Sequence, residues 1–576
     1  MKCKRIYLLI IMIISLCMGS CKNRGQHNIS YNITQKYNQP NAQADIIIRA
    51  DARSGTREIN PYWNFCVGAG RANEGLRANW QEQLKTSIEE CGFRYIRFHG
   101  LFHDDMFVYR VRDGKEVYNW QYIDELFDRL LEMGIRPFVE LSFFPCDMTH
   151  GEGTVFWWEA CNTPPEDLSK WSELVTRFVE HCVDRHGIEE VKKWYFEVWN
   201  EPNLGYFFNG TLEDYLNLYK ISAEAVKSVH EDLKTGGPAT SNFIIRTDDE
   251  IRLKDKGKSD DINVEDLSTA EFEGVWIKEF LAFCEQQEVP VDFISTHPYP
   301  THFPLDADGP QHDVSRPVNS VHTDLTWLNK VVSKSAFPNI EVHLTEWSSC
   351  PSPRDHTHDY LQEATYIVKQ NIDCIGMVNS MSYWTFTDVF EESGAGDEIF
   401  HGGFGLINFQ GIVKPAFHAY RFLNQLGTIE IHREEGAIIT RTSNNDKVSM
   451  IVYNYPDEYP MAIQMSKNSR VTAEETLNTG RAKSFSIELT NLPGNEVFLV
   501  ETLDEEHGFA LRDWLNMGAP NPPGLEQTKQ LRKAGRDTKK EYIKSTDQGE
   551  LVWSSNVAPW VVICIRQLKE PHESVY

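Results

Sequence analysis

Two glutamates stand at the ends of apolar runs, where a strand would deliver them to the rim of a sheet. Glu201 closes Trp194–Asn203, W-Y-F-E-V-W-N-E-P-N, and Glu346 closes Ile340–Trp347, I-E-V-H-L-T-E-W. Both runs have the length and composition of buried strands. Pro202 lacks a backbone N–H and biases Glu201 toward extended conformations, so the first strand is expected to stop there. Two carboxyl groups on one rim can share the work of glycoside hydrolysis: one protonates the leaving oxygen, the other attacks or activates water.

The elements that must position them repeat one pattern of apolar strand, polar loop and amphipathic helix. Strands are expected at Phe65–Val67, Phe93–Phe98, Ile135–Phe143, Trp194–Trp199, Thr235–Ala239, Val289–Thr296, Ile340–Trp347 and Met377–Thr387. Helices are expected at Asn79–Cys91, Trp120–Met133, Leu168–His186, Leu212–Leu233, Glu271–Gln287, Thr323–Ser335, Asp359–Ile372 and Pro415–Leu426. In the second helix Ile123, Leu126, Phe127, Leu130 and Leu131 form the stripe of a helix packed on a sheet. Gly92, Gly134 and Gly187 stand where the first three helices would stop.

Eight alternating units imply an α/β fold, a (β/α)8 TIM barrel with long rim loops. Glu201 then ends strand four and Glu346 strand seven. An open doubly wound sheet is the weaker alternative, since no glycine-rich phosphate turn follows a strand. Past Gly427 the runs Ala437–Arg441, Val448–Asn454, Val497–Glu501 and Trp560–Arg566 read as an accessory C-terminal β-sandwich, interrupted by a polar helical segment around Leu511–Lys540. Residues 45–427 form the expected barrel and 428–576 the expected sandwich. Within 45–58, Ile46–Arg49 is a candidate extra strand of the sandwich.

The chain has 576 residues, long enough for two or three domains, with 57 basic and 84 acidic side chains and a net charge of −27. Such a surface repels phosphate backbones and argues against nucleic acid as a partner. Aromatic residues make up 12% of the chain, and many lie next to acids in loops, a combination that suits sugars. Lys2, Lys4 and Arg5 precede an apolar run, Ile6 to Met18, too short to span a bilayer. With Met18-Gly19-Ser20-Cys21 it reads as a lipoprotein signal peptide over 1–21, followed by a tether over 22–44. The expected location is outside the cytoplasm, in the bacterial periplasm or on the outer membrane, with membrane contact only through a lipid on Cys21. The cysteines at 66, 91, 146, 161, 182, 284, 350, 374 and 564 form no zinc or disulfide framework, and a single bridge stays open. His99, His103, Asp104 and Asp105 cluster without metal-ligand spacing, and neither metal nor cofactor is expected.

N-E-P closing strand four and E-W closing strand seven resemble the clan of retaining glycosidases with catalytic acids at those strand ends. Within it the chain is similar to glycoside hydrolase family 39, above all its β-xylosidases. Further stretches carry the likeness: Cys66-Val67-Gly68, Tyr95–Asp105 (Y-I-R-F-H-G-L-F-H-D-D), Arg136–Ser142 (R-P-F-V-E-L-S), Thr154–Pro165 (T-V-F-W-W-E-A-C-N-T-P-P), Ser382–Glu392 (S-Y-W-T-F-T-D-V-F-E-E), His401–Leu406 (H-G-G-F-G-L) and Leu503–Gly508 (L-D-E-E-H-G). The resemblance implies an exo-acting enzyme that releases β-linked xylose from oligosaccharide or polysaccharide by double displacement. Glu201 is then the acid/base, Glu346 the nucleophile, and Asn200 a ligand of the sugar 2-hydroxyl. His99, His297, Tyr299, Glu391 and Glu392 fall at sugar-binding positions, and Phe144, Trp384 and Phe404 at the pocket wall. Trp157 and Trp158 either line the pocket or anchor their loop.

Two departures bear on specificity. Strand seven closes with E-W-S where many xylosidase relatives carry E-Y-N, and Arg97-Phe98-His99 replaces the common R-G-H. The same chemistry on a uronic acid, arabinose or another plant or algal glycan is the alternative. A glycan-binding lipoprotein without catalysis is the remote one. The aglycone and the oligomeric state are left open.

Overall fold

The computed structural model describes residues 41–149, 151–245, 271–302, 314–390, 392–444, 447–463 and 470–568. The expected leader with Cys21, most of the tether, and Glu391 lie outside the described residues. Eight strands close into a parallel barrel in chain order. They are β1 (Cys66–Arg71), β2 (Tyr95–His99), β3 (Arg136–Leu141), β4 (Tyr195–Val198), β5 (Lys234–Ser241), β6 (Phe293–His297), β7 (Glu341–Trp347) and β8 (Ser380–Tyr383). The helices between and after them are α1 (Ala78–Cys91), α2 (Gln121–Glu132), α3 (Leu168–His186), α4 (Leu212–Val229), α5 (Ile277–Gln286), α6 (Ser320–Val332), α7 (Leu361–Asp373) and α8 (Pro415–Leu423). Gly92 ends α1 in the left-handed conformation, φ 77°, and returns its amide to the Ile88 carbonyl. Thr211 and Asp214 form a capping box at the start of α4.

Three of the differences from the expected boundaries have a clear local form. The segment expected to open a helix at Glu271 instead forms a strand, Phe272–Gly274, paired antiparallel with Phe243–Ile245. Trp276 adopts φ 61°, so helical geometry begins only at Ile277. α4 ends at Val229 rather than Leu233, and β8 is shorter than the apolar run containing it, because Trp384–Phe386 continues into the rim loop.

The barrel interior is layered. At its N-terminal end Phe138, Tyr195 and Phe293 fill the bore, Phe138 stacked on Tyr195 with centroids 4.8 Å apart. Above them Arg97, Glu140 and Glu197 are fully buried, and above those the strand ends open toward the rim.

The C-terminal region is a sandwich of a seven-stranded sheet and a three-stranded sheet. Ile46–Asp51 pairs in parallel with Lys483–Thr490 in the smaller sheet, so the chain's first described strand belongs there. Alternation along the larger sheet sends Ala437, Ile439, Met450, Val452, Val500, Ile563 and Ile565 into the sandwich core. Ile438, Ile451, Tyr453, Val562 and Cys564 face the barrel and share its core. Between the buried faces, Arg421 of α8 pairs with Glu501 at 3.1 Å.

Candidate active site

Each candidate carboxylate sits beside a break in strand register. β5 carries a bulge between Pro238 and Thr240, and the carbonyl of Ala239 accepts the Glu201 amide at 2.9 Å. Asn203 locks the same loop: its side chain accepts the Ser241 amide at 2.9 Å and donates to the Ser241 carbonyl at 3.1 Å. Held at both ends, Glu201 adopts φ 44°, and Trp199 before it φ 73°. The extended conformation expected of a residue before proline is thus overridden, and this strained backbone aims the carboxyl over the bore. β7 has its own irregularity between Leu344 and Trp347. The extra residue breaks strict alternation, so two consecutive side chains, Thr345 and Glu346, both make contacts inside the barrel.

One oxygen of Glu201, one nitrogen of His297 and one oxygen of Glu346 all lie within 4.8 Å of one another. That spacing would also suit a metal ion, but hydrogen bonds from the protein engage the same groups. Arg97 organises them. Its Nε donates to Glu197 at 2.5 Å, Nη1 to Glu346 at 2.8 Å, and Nη2 to Asn200 Oδ1 at 2.9 Å, with Glu140 also 2.9 Å from Nη2. Tyr299 Oη donates to the other Glu346 oxygen at 3.0 Å. With its Oδ1 held by Arg97, Asn200 keeps a buried Nδ2 without a protein partner, free to donate to a ligand. Sequence reading missed Arg97, Glu140 and Asn203 as site residues. Their signal was a charged side chain at an inward position of an otherwise apolar strand, and a second asparagine after Pro202.

The electrostatics separate the groups. Burial pushes Glu201 up to about 7, against the Ser241 hydrogen bond and the charges of His99 and Arg97. Burial also pushes Glu346 upward, and His297 and Arg97 oppose that shift. His297 is driven down to about 4 by burial, so it is neutral at pH 7. For His99 burial is outweighed by Glu140, bonded at 2.8 Å, and by Glu392, 3.4 Å away; it rises to about 10 and is charged at pH 7. Glu392 is itself raised by burial against the His99 hydrogen bond.

Of the residues expected at the site, Glu201, Glu346, Asn200, His99, His297, Tyr299 and Glu392 are brought together. Trp384 lies 4.7 Å from the His99 ring, and Phe390 joins Trp384 and Phe404 in a wall. Lys414, fully buried, pairs with Asp359 at 2.8 Å and Asp388 at 2.7 Å and donates to the Gly403 carbonyl, which fixes the loop bearing Phe404. Phe144, expected on the wall, packs one layer behind it against Trp171 and Trp199; its neighbour Phe143 is the ring beside His99. In both departures from the family pattern the aromatic side chain turns away from the carboxylates. Phe98 alternates outward between Arg97 and His99, Trp347 packs on Tyr366 and Tyr383, and buried Ser348 donates its hydroxyl to the Cys350 carbonyl at 2.7 Å. The His99, His103, Asp104, Asp105 cluster is split: His103 lies beside Trp158 and 4.0 Å from Asp105, which pairs with Arg71, while Asp104 accepts the Cys146 amide and His99 belongs to the site.

Phe156, 6.0 Å from His99 and stacked on Trp158, belongs to a loop closed by a Cys146–Cys161 disulfide, while Trp157 next to it is 58% exposed. Trp158 therefore anchors the loop. The cysteine spacing had left one bridge open, and this is it. A loop of 15 residues sets a chain-entropy contribution of about 3 kcal/mol. Replacing both cysteines with serine is expected to lower the thermal midpoint, read by scanning calorimetry, and an unchanged midpoint would show that the loop is held by its aromatic packing alone.

A (β/α)8 barrel with two buried carboxyl groups at the ends of its fourth and seventh strands defines a glycoside hydrolase. The chain belongs to glycosyl hydrolases family 39, whose family model matches residues 46–551. It is 36% identical over 518 residues to a β-xylosidase of Caldicellulosiruptor saccharolyticus, covering 88% of this chain and 95% of that one. It is 35% identical over 503 residues to a β-xylosidase of Geobacillus stearothermophilus, covering 86% and 90%. The crystal structure of a monomeric β-xylosidase from Caulobacter crescentus superposes with a TM-score of 0.77 at 32% identity, over 91% of this chain and 99% of that one.

Proposed function

We propose that this chain is an exo-acting retaining β-xylosidase in which Glu201 is the general acid/base and Glu346 the nucleophile. The observation that carries the reading is the pair of carboxyl oxygens within 4.8 Å, one group near pH 7 and the other gripped by Arg97 and Tyr299. This suits the roughly 5–5.5 Å of double displacement better than the roughly 6.5–9.5 Å that leaves room for a water. Glu201, protonated at rest, gives its proton to the glycosidic oxygen while Glu346 attacks the anomeric carbon and the leaving alcohol departs. Glu201, now a carboxylate, takes a proton from water, whose oxygen replaces Glu346 at the same carbon. Asn200 Nδ2 is available to the 2-hydroxyl, a contact that strengthens in the transition state.

Relatives named β-xylosidases match this chain over most of their length, which supports xylose as the sugar. A uronic acid needs a free cation, whereas Arg97 and His99 are both bonded to carboxylates. With a panel of aryl glycosides, the β-xyloside is expected to turn over fastest. Cleavage of an arabinoside or a uronide instead would overturn the xylose assignment and leave double displacement standing.

The pH dependence follows from Glu201. The acid must be protonated, so kcat/KM is expected to fall about tenfold per unit as pH rises beyond the free-enzyme value near 7. Glu346 must be ionised and sets the acidic limb. A kcat/KM profile of Glu201→Gln without the alkaline limb supports the assignment; an unchanged limb would contradict it.

We also propose that the chain is exported and anchored through a lipid on Cys21, with 22–44 as tether, 45–427 as catalytic unit and 428–576 as accessory unit. The Cys146–Cys161 bridge supports an oxidising compartment.

A further inference from the structure

We propose that Thr345 and Glu197 fix the tautomer of His297, and that this tautomer holds the proton on Glu201 between turnovers. The inference rests on Glu201 being the acid/base. It follows from counting donors along one chain of hydrogen bonds. Glu197 is ion-paired with Arg97 at 2.5 Å and offers only acceptors. Its Oε1 accepts the Thr345 hydroxyl at 2.8 Å, which uses the only hydrogen that hydroxyl has. Thr345 Oγ1 also lies 3.0 Å from His297 Nε2, and toward that nitrogen it can only accept. The ring hydrogen is therefore on Nε2, and a neutral His297 presents a lone pair at Nδ1. Glu201 Oε1 stands 2.9 Å from that lone pair, and a bond there requires the hydrogen to be on Glu201.

The surroundings show why such a device is needed. From β2, Arg97 and His99 favour the ionised form of Glu201, and so does the Ser241 hydrogen bond from β5; Glu140 from β3 opposes them. Glu346 from β7, Tyr299 from the loop after β6 and Glu392 from the loop after β8 also face it. A hydrogen bond that only the neutral carboxyl can make offsets the two cations. Burial meanwhile keeps His297 from becoming an imidazolium. When the proton passes to the leaving oxygen, the carboxylate left behind faces a lone pair. That makes it the stronger base for the water of the second step, and the water's proton restores the bond to His297.

Thr345→Val removes the hydroxyl and keeps the shape. His297 can then place its hydrogen on Nδ1 and donate to an ionised Glu201, which makes Glu201 more acidic. The alkaline limb of kcat/KM is expected to move down by about one pH unit, and Thr345→Ser to return it. A purely structural role would lower kcat/KM at every pH without moving the limb, and that result would overturn the proposal. Nitrogen-15 NMR of labelled histidine in the full chain, with His297 assigned by substitution, reads the tautomer without substrate. Hydrogen on Nε2 in the wild type and on Nδ1 in Thr345→Val is expected, and Nδ1–H in the wild type would overturn the proposal even if Thr345→Val fails to fold. Failure of the acid/base reading shows separately, as an alkaline limb that survives Glu201→Gln.

Discussion

Alanine at position 346 is expected to abolish turnover of an aryl β-xyloside, and azide to restore it as α-xylosyl azide. Glu346 is gripped on opposite oxygens, by Arg97 Nη1 at 2.8 Å and Tyr299 Oη at 3.0 Å. These contacts fix the attacking oxygen and stabilise it again as it leaves in the second step, so the group acts in both half-reactions. Without it neither the covalent intermediate nor its hydrolysis can occur, and a loss of at least about 10,000-fold, or ~5.5 kcal/mol of barrier, is expected. Azide fits the space of the deleted carboxyl, attacks from the nucleophile's face and needs no base. Product identification by NMR checks the result. A β-azide from this variant would place the nucleophile elsewhere, since the attack would then have come from the acid/base side.

Alanine at position 201 is expected to act in proportion to how badly the leaving group needs a proton. For xylobiose, whose leaving alcohol is poor, kcat/KM is expected to fall by about 100- to 10,000-fold. For a dinitrophenyl xyloside the first step survives, the glycosyl-enzyme accumulates, and a burst of phenolate precedes slow turnover. Azide then relieves the second step from the acid/base side and yields β-xylosyl azide, the opposite anomer from that of the Glu346 variant. Equal losses on both substrates would show that Glu201 shapes the site without moving a proton. The structural grounds for the acid role are its burial and a position near pH 7, between a neutral His297 and a charged His99.

Much of this was legible from the chain alone because two periodicities are strong. Inward-facing strands alternating with striped helices gave the eight units, and the polar tetrad after Trp199 ended β4 where the carboxyl is needed. The misreadings have local causes. Gly274 and left-handed Trp276 broke a segment whose composition read as helix. The bulges in β5 and β7 leave no mark in composition, so neither the left-handed Glu201 nor the joint inward reach of Thr345 and Glu346 was visible. Phe143 and Phe144 are consecutive, and only the fold decides which ring faces His99. In the sequence Arg97 is one letter of a strand motif, with nothing to mark its role. A fully buried guanidinium in contact with four groups from three other strands and the loop after β4 is a tertiary fact, and it ties both carboxyl positions to one frame.

The two departures from the xylosidase pattern also change meaning once placed. Phe98 and Trp347 point outward, behind the side chains expected to face the sugar, and the buried Ser348 hydroxyl donates to the Cys350 carbonyl at 2.7 Å. Among the described residues, His99 and Glu392 lie together beside the wall of Trp384, Phe390 and Phe404, and buried Lys414 holds the loop that bears Phe404.

The most direct test is the anomeric configuration of the first product. Proton NMR during hydrolysis of an aryl β-xyloside should show β-xylose appearing first and the α anomer growing only by mutarotation. α-Xylose as the first signal would mean single displacement, which contradicts Glu346 as nucleophile and the account built on the spacing of the two carboxyl groups.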